Sequence, residues 1–380
     1  METLTDREAY LRGSRAAASG NYAKALQFFR LAAEHGYADA QNAIGTFYAL
    51  GRGVGKDAAA AVHWYTPAAQ QGCAAAQYNL ALALANGSGT KADLTAAFRW
   101  YSLAAEAGHA GAQNNLGLFY LDGSGVDADF ARAAELFSAS ARQGNAQAQC
   151  NLGDLYALGK GTEQDFAAAA ELYHASAAQG YGKAVSRLGE LFECGLGVPI
   201  NLWTAEAYYR RAKQLGYINT APYLKRVRDS IKEAEDAYTQ GLALLHSEPS
   251  QSERAAALLR EAADVGHAEA MLQLGRIYYA SGDYSRAVPF LRSALTAGQS
   301  TAGFLLGTCA EKGLGCEPDA AQALRYYREA ARKDLDAQYR LGLMYRDGIG
   351  TTANAATAAV WFKRAAAGGH AGAQQALNSL

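Results

Sequence analysis

Histidine and cysteine are the side chains in this sequence that could bind a metal ion or supply a nucleophile. The chain has seven histidines and five cysteines, and neither set shows the close, regular spacing of a ligand motif such as H-E-x-x-H. His109, His267 and His370 each follow a recurrent glycine, which favours a structural role in a turn. The cysteines are scattered and odd in number, so we expect free thiols in a reducing compartment. We therefore predict no metal site, no cofactor and no catalytic residues.

One glycine-rich stretch, Gly51-Arg-Gly-Val-Gly-Lys56, superficially suggests a loop that binds phosphate. A dinucleotide-binding or Walker loop follows a strand and opens a helix, whereas this stretch follows a predicted helix. The same Gly-x-Gly pattern recurs along the chain, for example at Gly87 and Gly89. We therefore interpret the stretch as the connecting loop of a repeat.

The charges of the chain do not favour nucleic acid as a partner. It has 35 basic and 36 acidic residues and a formal net charge of −1, so no general field would attract a polyanion. A basic run at residues 225–232 has acidic neighbours, and a solvated helix face is the better interpretation. No stretch approaches the roughly 18 apolar residues of a membrane-spanning helix. Residues 1–13 lack an apolar signal core, which predicts a cytoplasmic location; a leader removed upstream would instead place the protein in the periplasm or outside the cell.

A repeat of 36 residues organises most of the chain. At fixed distances after the first six anchor glycines, a glutamine follows four of them, a Leu-Gly step three, an aromatic residue four and a Gly-x-Gly pair five. After the sixth anchor the pattern breaks, and it resumes at Gly266, Gly298, Lys333 and Gly369. The first six anchors are evenly spaced, at Gly36, Gly72, Gly108, Gly144, Gly180 and Gly216.

Each repeat contains two apolar stripes at helical spacing. Ala112, Leu116 and Tyr120 share one face of a predicted helix, and Phe130 and Phe137 share a face of the next. The intervening Gly-x-Gly permits positive φ angles and so favours a helix C-cap followed by a loop. One helix pair cannot bury both stripes, but stacked pairs can, which predicts a core that continues from repeat to repeat.

This pattern resembles the Sel1-like repeat family, a relative of the tetratricopeptide repeat, and the stretch from Ala97 to Val126 carries its coordinated positions. The resemblance covers nearly the whole chain. It implies an all-α fold, a right-handed solenoid of about ten Sel1-like or tetratricopeptide-like helix pairs forming an α/α superhelix. We expect two arrays, about six repeats in residues 1–229 and about four in residues 230–380, joined near residues 217–232.

The second array is predicted to differ in its turns. The stretch Ala280-Ser-Gly-Asp-Tyr284 replaces the Gly-x-Gly loop and predicts a shorter turn, similar to that of a tetratricopeptide repeat. A leading helix is expected to start near Asp236 and to end in a turn at Glu248-Pro-Ser-Gln-Ser252.

The resemblance also implies that the first helix of each pair lines a concave face. On that register, the exposed positions vary in type from repeat to repeat, as expected of binding rather than packing positions. The predicted protein-binding residues are Asn42, Thr46, Tyr78, Leu82, Asn86, Asn114, Leu118, Asp122, Asp154, Glu190, Arg276, Tyr279, Phe304, Tyr339 and Arg346.

Three classes of function remain open from the sequence. The repeat architecture and the absence of a recognisable catalytic constellation favour a non-catalytic scaffold or adaptor that binds a protein or peptide segment, in signalling, secretion or complex assembly. An inhibitor or immunity-type protein with one specific globular partner is an alternative, and a hydrolase with an unrecognised site is another. The partner is expected to be a protein or peptide, with no nucleic acid and no membrane span, and a terminal repeat could pair with a second copy of the chain.

Overall fold

The computed structural model describes residues 4–247 and 251–380, and contacts divide the chain into two compact units. Unit 1 comprises residues 1–188 and 211–217, and unit 2 comprises residues 189–210 and 218–380. Within the described ranges the regular structure is helical, with no strand. The chain is an all-α repeat solenoid, which confirms the predicted fold class.

The first part of the chain forms regular helix pairs. The helices up to residue 214 are α1 (Asp6–Ala18), α2 (Tyr22–Glu34), α3 (Ala38–Leu50), α4 (Ala58–Gln70), α5 (Ala74–Asn86), α6 (Leu94–Glu106), α7 (Ala110–Asp122), α8 (Phe130–Arg142), α9 (Ala146–Leu158), α10 (Phe166–Ala178), α11 (Gly182–Cys194) and α12 (Leu202–Gln214).

A short 3₁₀ turn at Ile218–Thr220 precedes the remaining helices. These are α13 (Ala221–Ser247), α14 (Ser252–Asp264), α15 (Ala268–Ala280), α16 (Tyr284–Thr296), α17 (Ala302–Lys312), α18 (Ala320–Ala330), α19 (Leu335–Asp347), α20 (Ala355–Ala367) and α21 (Ala371–Asn378).

The glycine of the Leu-Gly step lets the two helices of a pair approach closely. A methyl group added at Gly117 would lie 2.7 Å from the ring of Phe137, and one added at Gly153 would lie 2.7 Å from the ring of Tyr173. Both rings are almost completely buried. Because a real side chain cannot come so near, glycine at this step is a packing requirement of the aromatic residue opposite it.

The Gly-x-Gly loops combine a helix end with a contact to the preceding repeat. Gly123 ends α7 in the left-handed conformation, with φ of 70°, as a C-cap glycine does. Two residues later, Gly125 packs against the backbone of Leu94 at the start of α6, where an added methyl group would lie 3.3 Å from the carbonyl oxygen. This confirms the interpretation of the pattern as a repeat loop.

The regular spacing of glutamine along the chain reflects a hydrogen bond between successive helix pairs. Gln113 on α7 donates to the carbonyl of Ala105 at the end of α6, at 3.3 Å. Its own oxygen accepts from Gln143 at 2.8 Å. The terminal carbonyls of a helix have no partner within it, so this side chain satisfies one of them and ties α6 to α7.

Helix α13 departs from the predicted organisation. It begins at Ala221, with Pro222 in the first turn, and runs without interruption to Ser247. The expected helix start near Asp236 is therefore wrong, because Leu224, Val227 and Ala234 already form a buried helical stripe and no helix breaker separates them from Asp236. The boundary proposed between residues 229 and 230 lies within this helix.

Two further predictions concern the turns and the cysteines. The predicted short turn is confirmed, since residues 281–283 alone separate α15 from α16. Residues 248–250 of the other predicted turn lie outside the described part of the chain. The five cysteines are thiols rather than disulfides in the structure.

Candidate functional site

Side chains on successive first helices of unit 1 touch one another across the repeats. Asn79 on α5 donates to the side-chain oxygen of Asn42 on α3 at 2.9 Å. Asn151 on α9 donates to Asn114 on α7 at 3.1 Å, and Asn114 donates to its neighbour Asn115 at 3.1 Å. The bonds made by Asn79 and Asn151 join neighbouring repeats, whereas the bond from Asn114 to Asn115 lies within α7. Amide groups therefore lie on four successive first helices, with one bond joining α3 to α5 and another joining α7 to α9.

The row ends at a charged cluster formed by α9 and α11. Asp154 accepts hydrogen bonds from the Tyr173 hydroxyl and from Arg187 Nε, each at 2.8 Å. Its second oxygen lies 2.8 Å from Lys183 Nζ, and the same ammonium lies 3.5 Å from the side-chain oxygen of Asn151. Two cations around one carboxylate give these three ionised groups a net charge of +1.

We call the amide groups and this charged cluster together the polar ladder: Asn42, Asn79, Asn114, Asn115, Asn151, Asp154, Lys183 and Arg187.

The protonation of the cluster follows from burial and from Asp154. Burial, reinforced by the Asp154 charge and hydrogen bond, raises the pKa of Tyr173. Burial on its own lowers the pKa of Lys183, but the attraction of Asp154 outweighs this effect and the pKa is raised. Tyr173 therefore remains a hydrogen-bond donor and Lys183 remains a cation at neutral pH.

An aromatic pair lies beside the ladder. The ring of Tyr78 on α5 stacks on His109 with centroids 4.5 Å apart, and Nδ1 of His109 accepts from the backbone N–H of Ala112 at 3.1 Å. His109 is thus the N-cap of α7, and His267 and His370 cap α15 and α21 in the same way. The predicted turn role of these three histidines is confirmed.

The predicted binding residues differ in accessibility. The exposed ones are Leu82, Asn86, Asp122, Arg276 and Arg346. The half-buried ones are Asn42, Thr46, Tyr78, Leu118, Asp154, Glu190, Tyr279, Phe304 and Tyr339. The expected exposure of Asn114 is wrong: only 1% of it is accessible, because Asn115 and Asn151 both bond to it.

Some predicted residues in unit 2 pack against the core. The ring of Phe304 lies 5.8 Å from that of Tyr327, and the ring of Tyr339 lies 5.8 Å from that of Phe362. Tyr327 and Phe362 are fully buried. Phe304 and Tyr339 therefore contribute to the helix–helix contacts whatever else they do.

Three asparagines of the ladder were not predicted from the sequence. Asn79, Asn115 and Asn151 each lie seven residues after an anchor glycine, one position beyond the predicted register. Their spacing of 36 residues was a detectable signal. Residues six and seven positions after the anchor both reach the neighbouring first helix, and the register taken from the resemblance included only the former.

The ladder can offer hydrogen bonds to an extended chain. An asparagine side chain has two N–H donors and an acceptor oxygen, so the bonds within the ladder use only part of its capacity. Asn42, Asn79, Asn115 and Asn151 are half-buried rather than enclosed. Asn115 also donates to the Tyr101 hydroxyl at 3.1 Å. Side-chain amides carry the same kinds of donor and acceptor as a peptide backbone.

The described residues contain neither a metal-binding cluster nor a membrane-spanning helix. Across residues 4–247 and 251–380, histidine, cysteine and acidic side chains form no group of three or more that could hold a metal ion. Among the helices of the same ranges, none has both the length and the apolar character needed to cross a membrane.

The family model described as "Sel1 repeat" matches the chain ten times. The ten matches confirm the predicted total of about ten repeats. Six of the matches are contiguous and four follow a gap. The matched residues are 8–37, 38–73, 74–109, 110–145, 146–181, 182–217, 237–267, 268–298, 301–335 and 335–370.

Similar proteins include two solved structures. A protective antigen of uropathogenic Escherichia coli strains, described as displaying an SLR fold, is 30% identical over 98% of this chain and 79% of its own, with a TM-score of 0.50. A Sel1 repeat protein from Oxalobacter formigenes is 30% identical over 57% of this chain and 86% of its own, with a TM-score of 0.54.

A mouse protein named DAP3-binding cell death enhancer 1 is 41% identical over 87 residues, which are 22% of this chain. The matched part spans only 17% of the length of the mouse protein. It spans 20% of the length of the rat protein of the same name.

Proposed function

This chain belongs to the Sel1 repeat family, and from that premise we propose that it is a non-catalytic scaffold or adaptor that binds an extended segment of another protein along the polar ladder. Repeats of this class generally mediate protein–protein interaction. The mouse relative is named for binding DAP3. That name supports a protein as the ligand here.

The hydrogen bonding of the ladder carries the proposal. A row of half-buried amides on α3, α5, α7 and α9 offers donors and acceptors at successive repeats, and Lys183 and Arg187 add positive charge at one end. Half-buried Tyr78 and exposed Leu82 provide apolar surface beside it. An extended segment would use both the polar and the apolar surface.

Affinity capture from the native cell extract tests the proposal. The bait variant Asn79→Ala/Asn151→Ala removes two ladder amides, and its fold is checked by circular dichroism. Each lost hydrogen bond is worth about 0.5–1.5 kcal/mol, so the loss of two should weaken capture of the partner by about 5- to 150-fold.

The matched control is Arg99→Ala/Glu171→Ala, which changes two exposed residues of the second helices α6 and α10. This control should capture the partner as well as the unaltered chain does. Equal capture by the ladder variant and the unaltered chain would show that the binding site is not on the ladder. Capture of no protein by the unaltered chain would contradict the scaffold function.

A further inference from the structure

Unit 2 contains a second surface with the features of a binding site. A partly open cavity of about 1040 Å³ lies among the end of α11 and helices α12, α13, α15 and α16. Its apolar wall includes Phe192, Ile200, Trp203 and Met271. This volume is as large as the biggest pockets that hold drug-sized ligands, and it is far larger than a single side chain needs.

The cavity is held open by specific contacts within unit 2. The backbone N–H of Leu202, at the start of α12, donates to the carbonyl of Val265 at 3.0 Å. A methyl group added at Gly266 would lie 2.8 Å from Cα of Asn201, and Gly266 has a φ of 97°. Only glycine satisfies both conditions, so the turn before α15 and the start of α12 form a defined wall.

A buried histidine has an unused polar atom at this wall. His267 is 9% exposed and lines the cavity, between the rings of Tyr238, stacked at 4.3 Å, and Trp203, edge-on at 5.3 Å. Its Nδ1 accepts from the backbone N–H of Ala270 at 3.1 Å, so Nε2 carries the proton. Among the described residues no hydrogen bond uses Nε2–H, which leaves it available to a ligand acceptor.

The ionised side chains of the lining favour a cation. Glu235 and Glu269 both line the cavity, and neither forms an ion pair within the described part of the chain. Burial lowers the pKa of His267, and the charges of these two carboxylates oppose that shift, so both act on the same ring. Arg292 is the single basic residue of the lining, which gives the ionised lining a net charge of −1.

We propose that this cavity binds a basic segment of a protein partner. A lysine or arginine side chain lies between Glu235 and Glu269 near the face of Trp203, a backbone carbonyl accepts from His267 Nε2–H, and an adjacent apolar side chain packs on Ile200 and Met271. Carboxylates and an aromatic face together are the surroundings that a desolvated cation prefers. The site lies in unit 2 and does not depend on the proposed role of the ladder in unit 1.

Methionine provides a local reporter of binding. The chain has three methionines; Met271 lines the cavity, whereas Met344 is buried in a different core cluster. The full chain, labelled with ¹³C at the methionine methyl groups, is titrated with the peptide acetyl-Gly-Leu-Arg-Leu-Gly-amide and followed by NMR. The Met271 signal, assigned with Met271→Leu, should shift saturably while the Met344 signal does not.

Matched peptides and variants separate the contribution of the positive charge to binding from that of the apolar side chains. Peptides with citrulline or glutamate in place of the arginine should bind at least about tenfold more weakly. Glu235→Gln/Glu269→Gln should reduce binding of the arginine peptide to the level of the citrulline peptide, and Arg292→Gln should not weaken it. Argininamide alone should bind more weakly than the peptide, because it lacks the apolar side chains.

Three results would overturn the proposal. They are an unshifted Met271 signal at millimolar arginine peptide, equal affinity for the citrulline or glutamate peptide, and argininamide binding as tightly as the peptide. The last result would instead identify a small guanidinium compound as the ligand. None of these readouts depends on the ladder. A result that contradicts the cavity proposal therefore leaves the proposed function of the ladder untouched, and the two failures are distinguishable.

Discussion

At the scale of single residues, one glutamine lacks a partner that its counterparts have. Gln41, Gln113 and Gln149 each accept a hydrogen bond from a glutamine 30 residues later in the chain, at 2.8–2.9 Å. The position 30 residues after Gln77 is Ala107, and the buried side-chain oxygen of Gln77 has no partner. An unsatisfied buried acceptor costs about 1–3 kcal/mol.

Replacing Ala107 by glutamine should supply the missing donor. The backbone of Ala107, with φ of −73° and ψ of 3°, matches that of Gln143, with φ of −85° and ψ of 5°, so the side chain can reach Gln77 in the same way. We expect Ala107→Gln to raise the free energy of unfolding by about 1 kcal/mol, measured by urea denaturation. Ala107→Met, with a side chain of similar length and no donor, should give no such gain. Equal stabilisation by both variants would show that the hydrogen bond is not the cause.

At the scale of helices, histidine and asparagine cap the first helices with the same hydrogen bond, but only the histidine side chain can be protonated. His109 caps α7 through Nδ1 at 3.1 Å, and Asn145 caps α9 through its side-chain oxygen at 3.0 Å. Burial lowers the pKa of His109. The folded form therefore binds a proton less readily than the unfolded form, in which the pKa of histidine is about 6.5.

This difference predicts a pH-dependent stability. The contribution of neutral His109 is fully present above about pH 6.5 and is lost as the pH falls from there toward the lower pKa of the folded state. His109→Asn should keep the cap and remove this component. The melting temperature of the unaltered chain should therefore fall more than that of His109→Asn when the pH is lowered from about 7.5 to about 5.5. Identical pH profiles of the two proteins would contradict the proposed linkage.

At the scale of the whole molecule, the helix pairs could be predicted from the sequence because each pair depends on contacts between neighbouring helices. Gly117 must face Phe137 and Gln113 must reach Ala105, so the residue types recur at the repeat period. The start of α13 was not predictable in the same way. Its early residues lie outside the repeat pattern, and their buried stripe, which includes Leu224 and Val227, could equally have belonged to a separate short helix.

The candidate site was only partly predictable from the sequence. The register placed Asn42, Tyr78 and Asp154 on first helices, where the structure has them. It could not show that Asn114 is covered by its neighbours or that Lys183 and Arg187 converge on Asp154. Those features depend on how adjacent repeats are displaced relative to one another, which a repeat period does not specify.

Site-specific photo-crosslinking tests most directly whether a partner lies on the first helices of unit 1. Leu82 on α5 and Leu103 on α6 are both exposed leucines, 37% and 46% accessible, but they lie on the first and second helix of a pair. A photoreactive benzophenone residue is placed at either position, and the native extract is irradiated. We predict a discrete crosslinked protein from position 82, weakened at least about fivefold by Asn79→Ala/Asn151→Ala, and none from position 103. The same crosslinked protein from position 103 alone would contradict binding along the polar ladder.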